Sequence, residues 1–395
     1  MNRMILAVVI VATFLNTSVP ASAQYGLGTF HYALIDQSNQ ILHIWVYGST
    51  TGPWTNLNNV TGGPSAQAWT QQTMAALTGF GDSVGDHLFY VDNNRHISQM
   101  YYCAQNCIPL GTWTHQDMTN LAGGAPVPEF LSRLSSFGYS NQEHVFYTGT
   151  NHHVYQLVQT STGSWTYQDL TTAVPGGGAL AVTGSALTSF ADSFGEHIIY
   201  VGTNQHVYQL YYSWSSKAWV DQDLNSMASG APVAASGSAL TSFLDSQEHI
   251  VYQATNQHLY QFYTHPGSWL YQDLITGGAL PSPGTQLASN ADGGYEFVFF
   301  ATGCTSYSCS VNQAVFNGSV WTDYNLNNSV TTSPFTPFPS AGIDHFGNFL
   351  LADQLRWEFG VGTASVCNGN GTPCIGFPPG IGGPTGGESM VQFTP

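Results

Sequence analysis

Two stretches decide the fold: Ser185-Ala-Leu-Thr-Ser-Phe190 and Ser238-Ala-Leu-Thr-Ser-Phe243, the same six residues 53 positions apart. The likeness continues downstream. Gly195-Glu-His-Ile-Ile-Tyr200 answers Gln247-Glu-His-Ile-Val-Tyr252. After the turns Thr203-Asn-Gln205 and Thr255-Asn-Gln257 come His206-Val-Tyr-Gln-Leu210 and His258-Leu-Tyr-Gln-Phe262. Each copy closes on Trp219-Val-Asp-Gln-Asp-Leu224 or Trp269-Leu-Tyr-Gln-Asp-Leu274. Every segment is a short run of β-branched and aromatic residues bounded by Gly, Ser, Asn or Pro, which reads as a strand. Four strands in a period near 50 residues, with no 3.6-residue periodicity, predict an all-β protein of the propeller type. Strands apolar on both faces, such as Ile198-Ile-Tyr-Val201, suit blades packed between two neighbours.

Weaker copies extend the pattern outward. One runs from Asp86-His87 to Trp113-Thr-His-Gln-Asp117, another from Glu143-His144 to Trp165-Thr-Tyr-Gln-Asp169, and a third from Glu296 to Trp321-Thr-Asp323. Degenerate units remain at the ends. Phe30–Leu57 keeps two strands and Pro53-Trp-Thr-Asn56, while Ser340–Phe359 keeps three and ends Arg356-Trp-Glu-Phe359. Dividing the length after residue 23 by a repeat of about 53 gives seven four-stranded blades. Six is the count if the two chain ends together complete one blade.

Three regions follow. Residues 1–23 read as an export signal: Arg3, an apolar run from Met4 to Leu15, and the small-residue site Ala21-Ser-Ala23. Residues 24–375 form the propeller, and 376–395 are a Gly/Pro-rich tail without periodicity. The expected product is secreted and monomeric. No other stretch approaches the roughly 20 apolar residues that a spanning helix requires. Cys103 with Cys107, Cys304 with Cys309 and Cys367 with Cys374 are three close pairs, which an exported chain uses as local disulfides.

Charge narrows the partners. The whole chain carries five Lys and Arg against 22 Asp and Glu, a formal −17, and losing Arg3 leaves four cations and −18. Phosphate neutralisation needs clustered cations, so nucleic acid is excluded, as is an anionic membrane surface. A neutral partner is expected, with no cofactor.

One His recurs at the start of the second strand (His87, His144, His197, His249) and another at the start of the third (His96, His153, His206, His258). Within a hairpin the two lie roughly 13 Å apart at about 3.3 Å per residue, too far to share a metal ion. The acids Asp86, Glu143, Glu196 and Glu248 occur singly around the ring, whereas glycoside hydrolysis needs a pair at fixed separation. No H-E-x-x-H run is present, and catalysis is not expected. A site repeated around a ring gains by avidity, which points to binding. His, Gln and Trp are the residue types that hold a neutral sugar, with an aromatic face for C–H groups and planar polar groups for hydroxyls. Blade-to-blade packing explains the same Trp and His sets equally well. The pairs Gln116-Asp117, Gln168-Asp169, Gln222-Asp223 and Gln272-Asp273 read as turn caps.

This repeat plan, from about Phe30 to Phe359, resembles the fucose-specific lectin superfamily of β-propellers, which includes fungal fucose lectins and seven-bladed bacterial lectins. The resemblance implies sugar sites between adjacent blades, each with an Arg opening the second strand, a Glu in the third and an aromatic in the fourth. The Arg position falls on His87, His144, His197 and His249, and the Glu position on Gln99, Gln156, Gln209 and Gln261, with a true Glu at Glu358. The aromatic position falls on Trp113, Trp165, Trp219 and Trp269. His and Gln still hydrogen-bond hydroxyls, though without charge assistance. The expectation is a lectin-like protein with several weak sites for neutral glycans. The alternatives are a scaffold that binds proteins and an extracellular glycan-processing enzyme.

Overall fold

The computed structural model describes residues 29–325 apart from 36–37, 48–49, 52–54, 68–75, 82–84, 104–109, 141, 161–162, 276, 284–286, 293–294 and 303–309, together with 365–366, 375–376 and 390–393. Residues 1–28, the Ser340–Phe359 unit with Glu358, and all cysteines except Cys103 lie outside the described residues. Among the described residues no helix is long and apolar enough to cross a membrane.

Five blades are four-stranded antiparallel meanders, spanning Leu77–Asp117, Ser135–Asp169, Leu187–Asp223, Leu240–Asp273 and Leu287–Asn325. They are numbered here as blades 2 to 6. Blade 1 is built from both ends of the chain. Its second and third strands are Thr29–Ile35 and Ile41–Tyr47, its outer edge is Thr50–Thr51 and Thr55–Asn56, and Met390–Phe393 pairs with Thr29–Ile35 from the other side. That last strand adjoins Leu77–Gly81, so it takes the inner position held in each other blade by the first strand.

The ring therefore has six blades, and the count of seven is corrected. Dividing length by period treats every residue as repeat, whereas the six sheets draw only on residues 29–325 and 390–393. A separate two-residue ladder pairs Ser365–Val366 with Ile375–Gly376.

Hydroxyl pairs join the inner strands of successive blades. Thr78 meets Ser136 at 3.0 Å, Ser135 meets Ser189 at 2.7 Å, Thr188 meets Ser242 at 2.8 Å, and Thr241 meets Ser289 at 2.8 Å. The second strand of each blade lies between neighbours, and Gly85–Val91 and Gly195–Val201 are buried throughout. Tyr90, Tyr147, Tyr200 and Tyr252 are the largest fully buried side chains. Each sends its hydroxyl to a carbonyl of the preceding loop, on Pro64, Pro126, Ala179 and Pro232 at 2.6–2.9 Å, so the phenol brings no unsatisfied donor into the core.

The Gln-Asp pairs act as the sequence suggests at their acidic member. Asp117, Asp169 and Asp223 cap short helical turns by accepting the N–H of Asn120, Thr172 and Ser226. Each also holds the His at the start of the third strand, as does Asp273: His96, His153, His206 and His258 reach an Asp oxygen at 2.6–2.8 Å.

The place of Met390–Phe393 in blade 1 yields a first test. Truncation after Ser389 exposes the inner edge of blade 1, and the thermal midpoint should fall by roughly 10 °C. An unchanged melting curve would remove that strand from the ring.

Candidate functional site

The recurring His opens the second strand because the residue pairing fixes it there. Phe80, Phe137, Phe190 and Phe243 on the first strand stand opposite His87, His144, His197 and His249. Each Phe ring stacks on its imidazole, with centroids 4.3–4.8 Å apart and interplanar angles of 4–19°. Tyr101 and Tyr211 approach the same rings of His87 and His197 at 4.9 and 4.8 Å.

Two residues along, the register Ile199↔Gln209 brings the third-strand Gln beside the His. Gln99, Gln156, Gln209 and Gln261 place Nε2 2.8–3.1 Å from Nδ1 of His87, His144, His197 and His249. The same Nε2 donates to a glutamate of the next blade. Gln156 reaches Glu196 at 2.7 Å, Gln209 reaches Glu248 at 2.8 Å, Gln261 reaches Glu296 at 2.7 Å, and Gln99 bonds Glu143. A His–Gln–Glu tie thus crosses four successive blade junctions.

The His and Gln members are shut away from solvent, as are Glu143, Glu196 and Glu296, while Glu248 is half-buried. The four His expose 2–3% of their surface and the four Gln 0–4%. Their polar atoms engage each other and the neighbouring blade. Trp165, Trp219 and Trp269 are buried as well, and Trp113 is half-buried. Each faces backward where the contact is resolved: Trp113 meets His43 of blade 1 at 4.9 Å, and Trp165 meets Phe89 of blade 2 at 6.3 Å. The Trp that shares a junction with His87 and Gln99 is therefore Trp165, not the Trp113 of their own repeat. Glu358, the remaining candidate, is outside the described residues.

Sequence reading missed the glutamates' part in this set, because 35–44 positions separate each from its Gln partner. It also missed His31 and His43. The pairs His31↔Trp45 and Ala33↔His43 reproduce His197↔Tyr211 and Ile199↔Gln209, so blade 1 holds His at both positions. Blade 6 breaks the series, with Phe297 at the His position and Gln313 at the Gln position.

At the last two junctions a second carboxylate meets the far side of the ring. Asp192 Oδ1 lies 3.4 Å from His197 Nε2, and Asp245 Oδ1 lies 3.1 Å from His249 Nε2. These two trios, Asp192/His197/Glu248 and Asp245/His249/Glu296, bring one ligand atom from each residue within 4.8 Å. A shared ion would need the atoms to converge at about 2.1 Å from one point. The imidazole instead directs Nε2 to its own blade and Nδ1 to the next, on opposite edges. The arrangement therefore suits a proton rather than a metal.

Electrostatics follow from that geometry. Burial alone would push the His197 imidazole down, but its closeness to the Asp192 and Glu248 carboxylates, at 3.4 and 3.3 Å, outweighs it and raises the group above its ordinary value. Asp192 feels burial in the opposite sense. Its bonds to His197 and to the Phe194 and Gly195 amides keep it below the usual carboxylate value, and Asp245 is lowered in the same way by His249. Burial pushes Glu296 up, against the pull of His249 and Gln261.

No protein-family model matches the chain, and no curated protein matches it. Solved structures do. A crystal structure of Aleuria aurantia lectin, described as a six-bladed β-propeller fold with a novel fucose recognition mode, superposes with a TM-score of 0.52 at 17% identity, covering 82% of this chain and 95% of that one. The fold is that of the six-bladed lectin propellers. BP39L lectin from Burkholderia pseudomallei gives a TM-score of 0.53 at 15% identity over 80% of this chain and 84% of its own. A mutant of AofleA from Arthrobotrys oligospora gives 0.52 at 12% identity over 82% and 88%. The expected resemblance to fucose-lectin propellers thus holds at the level of fold.

The raised His197 value gives a pH test with a definite sign. A group that binds protons more tightly when folded contributes fully below its unfolded value of about 6.5, and the contribution fades as pH rises through the higher folded value. Denaturant unfolding at pH 5.5, 7.0 and 8.5 should show stability falling on the alkaline side. In His197→Gln that fall should be shallower, and an identical slope would show that His197 is not the titrating group.

Proposed function

We propose that this chain is an exported, non-catalytic carbohydrate-binding propeller whose glycan contacts lie at the junctions between blades. The observation that carries the reading is the six-bladed ring itself, with one junction design repeated four times on the plan of lectin propellers. A glycan presented at high density would engage several junctions together, and avidity would compensate for weak single sites. The acidic balance of the chain fits neutral sugars. His87 and Gln99 with Trp165, and their counterparts, define where those junctions lie. Their burial means that the rims of the same junctions, rather than the His imidazoles and Gln amides, meet a ligand first.

A second reading has its own support. The complete burial of Gln261, and the near-complete burial of the other Gln and His, is what a purely structural tie would show. On that reading the ring is a scaffold and its partner is a protein. Export rests on the Arg3 to Ala23 segment, and the proposed clasps Cys103–Cys107, Cys304–Cys309 and Cys367–Cys374 follow from the compartment.

Labelled protein on an array of neutral oligosaccharides separates the two readings. We expect binding that strengthens steeply with printed glycan density and survives 0.5 M NaCl, because no charge attraction is involved. Absence of binding at every density would leave the scaffold.

A further inference from the structure

Phe194 is 71% exposed, yet the backbone beneath it is held from four directions. Asp192 Oδ1 accepts the N–H of Phe194 at 2.7 Å and of Gly195 at 2.8 Å. The Phe194 carbonyl accepts the Trp214 N–H at 2.9 Å and the Tyr211 hydroxyl at 3.2 Å. Gly195 is required where it stands, because a Cβ there would lie 2.1 Å from the Tyr212 carbonyl oxygen. Asp192 is itself fixed through His197, which is tied to Gln209 and Glu248. The buried tie between blades 4 and 5 thus continues upward into a rigid surface turn that presents one aromatic ring to water.

One exposed Phe is ordinary on a protein surface. Its surroundings distinguish this one. An aromatic chain starts at buried Trp219, reaches Tyr212 at 5.2 Å and then Trp214 at 5.4 Å, and crosses to Tyr139 of blade 3 at 5.2 Å with the rings within 9° of parallel. Tyr139 and Trp214 are half-buried, so the chain emerges at the rim of the blade 3–4 junction. The indole N–H of Trp214 donates to the Asp192 carbonyl at 3.0 Å, which fixes the ring plane. Hydroxyls flank Trp214 in the chain: Ser213 and Ser215, 2.9 Å apart, and exposed Ser216, while the Tyr211 hydroxyl donates to the Phe194 carbonyl.

We propose that Phe194, Trp214 and Tyr139, with the Ser213–Ser216 hydroxyls, form a stacking platform for a neutral pyranose. This inference rests on the carbohydrate-binding reading above and assigns it one dominant site. Aromatic faces take the C–H side of a sugar ring and flanking hydroxyls take its polar edge, whereas the core of a protein interface is depleted in serine. The Trp214 ring and the Phe194 backbone are held before the ligand arrives, which reduces the ordering that opposes binding. The sequence of blade 5 lacks the platform residues. The loop matching Ser213–Ser216 carries His265-Pro-Gly267 in blade 5, and Gln247 precedes Glu248 where blade 4 has the Phe194-Gly195 turn.

The test compares the wild-type protein with Phe194→Ala and Trp214→Phe on a printed array of neutral oligosaccharides. Thermal melting confirms the fold of each variant, and sedimentation reports its association state. Phe194→Ala should melt with the wild type and bind about tenfold more weakly to every glycan that the wild type retains. Trp214→Phe should abolish any fluorescence change produced by the tightest of those glycans. Equal glycan binding by wild type and Phe194→Ala overturns the platform and leaves the carbohydrate reading standing. No glycan binding by the wild type overturns both. Intact glycan binding with loss of a dimer in Phe194→Ala assigns the patch to a protein contact, and likewise overturns the platform.

Discussion

The buried His–Gln–Glu tie is the interaction on which the ring depends. A blade stabilises its neighbour mostly through apolar surface, which is tolerant of sliding. A side-chain amide that must satisfy an imidazole in its own blade and a carboxylate in the next is not tolerant. In a junction shut from water, a misplaced Gln leaves a carboxylate without a donor, and that penalty is larger than the gain from the bond itself. Four such ties therefore set the angle between blades as well as holding them. The hydroxyl pairs along the inner strands, such as Thr188 with Ser242, repeat the same cross-blade logic at the hub.

Much of this architecture was legible in the sequence, for a physical reason. Each strand must be flanked by apolar neighbours and closed by a turn, so the pattern has to recur at every blade. Ser185–Phe190 and Ser238–Phe243 betray the period directly. Blade count was less legible, because Met390–Phe393 carries no repeat signature and serves only to complete a sheet begun by Thr29–Ile35. A strand supplied by the far end of the chain needs pairing complementarity, not a copy of the motif.

At the site, sequence periodicity identified His197, Gln209 and their equivalents but could not supply their environment. Recurrence marks both a repeated ligand site and a repeated packing solution. What separates them is whether the polar atoms face solvent or one another, which depends on a residue about 40 positions away. Glu248 acquires its role only when blades 4 and 5 are adjacent. The same limit hid Phe194 and Trp214, which do not recur and which periodicity therefore passes over. The non-repeating residues at the rim are where a ring of near-identical blades gains a distinct surface. The junction tie reaches that surface through Asp192, which caps the Phe194 turn and meets His197 from the same carboxylate oxygen.

The central claim is that Gln and Glu act together across the junction rather than as separate buried groups. A double-mutant cycle at the blade 3–4 junction measures this directly, using Gln156→Leu, Glu196→Leu and the pair, each unfolded in denaturant. The account predicts a coupling of about 1–3 kcal/mol, with either single substitution costing nearly as much as both. Additive losses, with no coupling beyond about 0.3 kcal/mol, would contradict it.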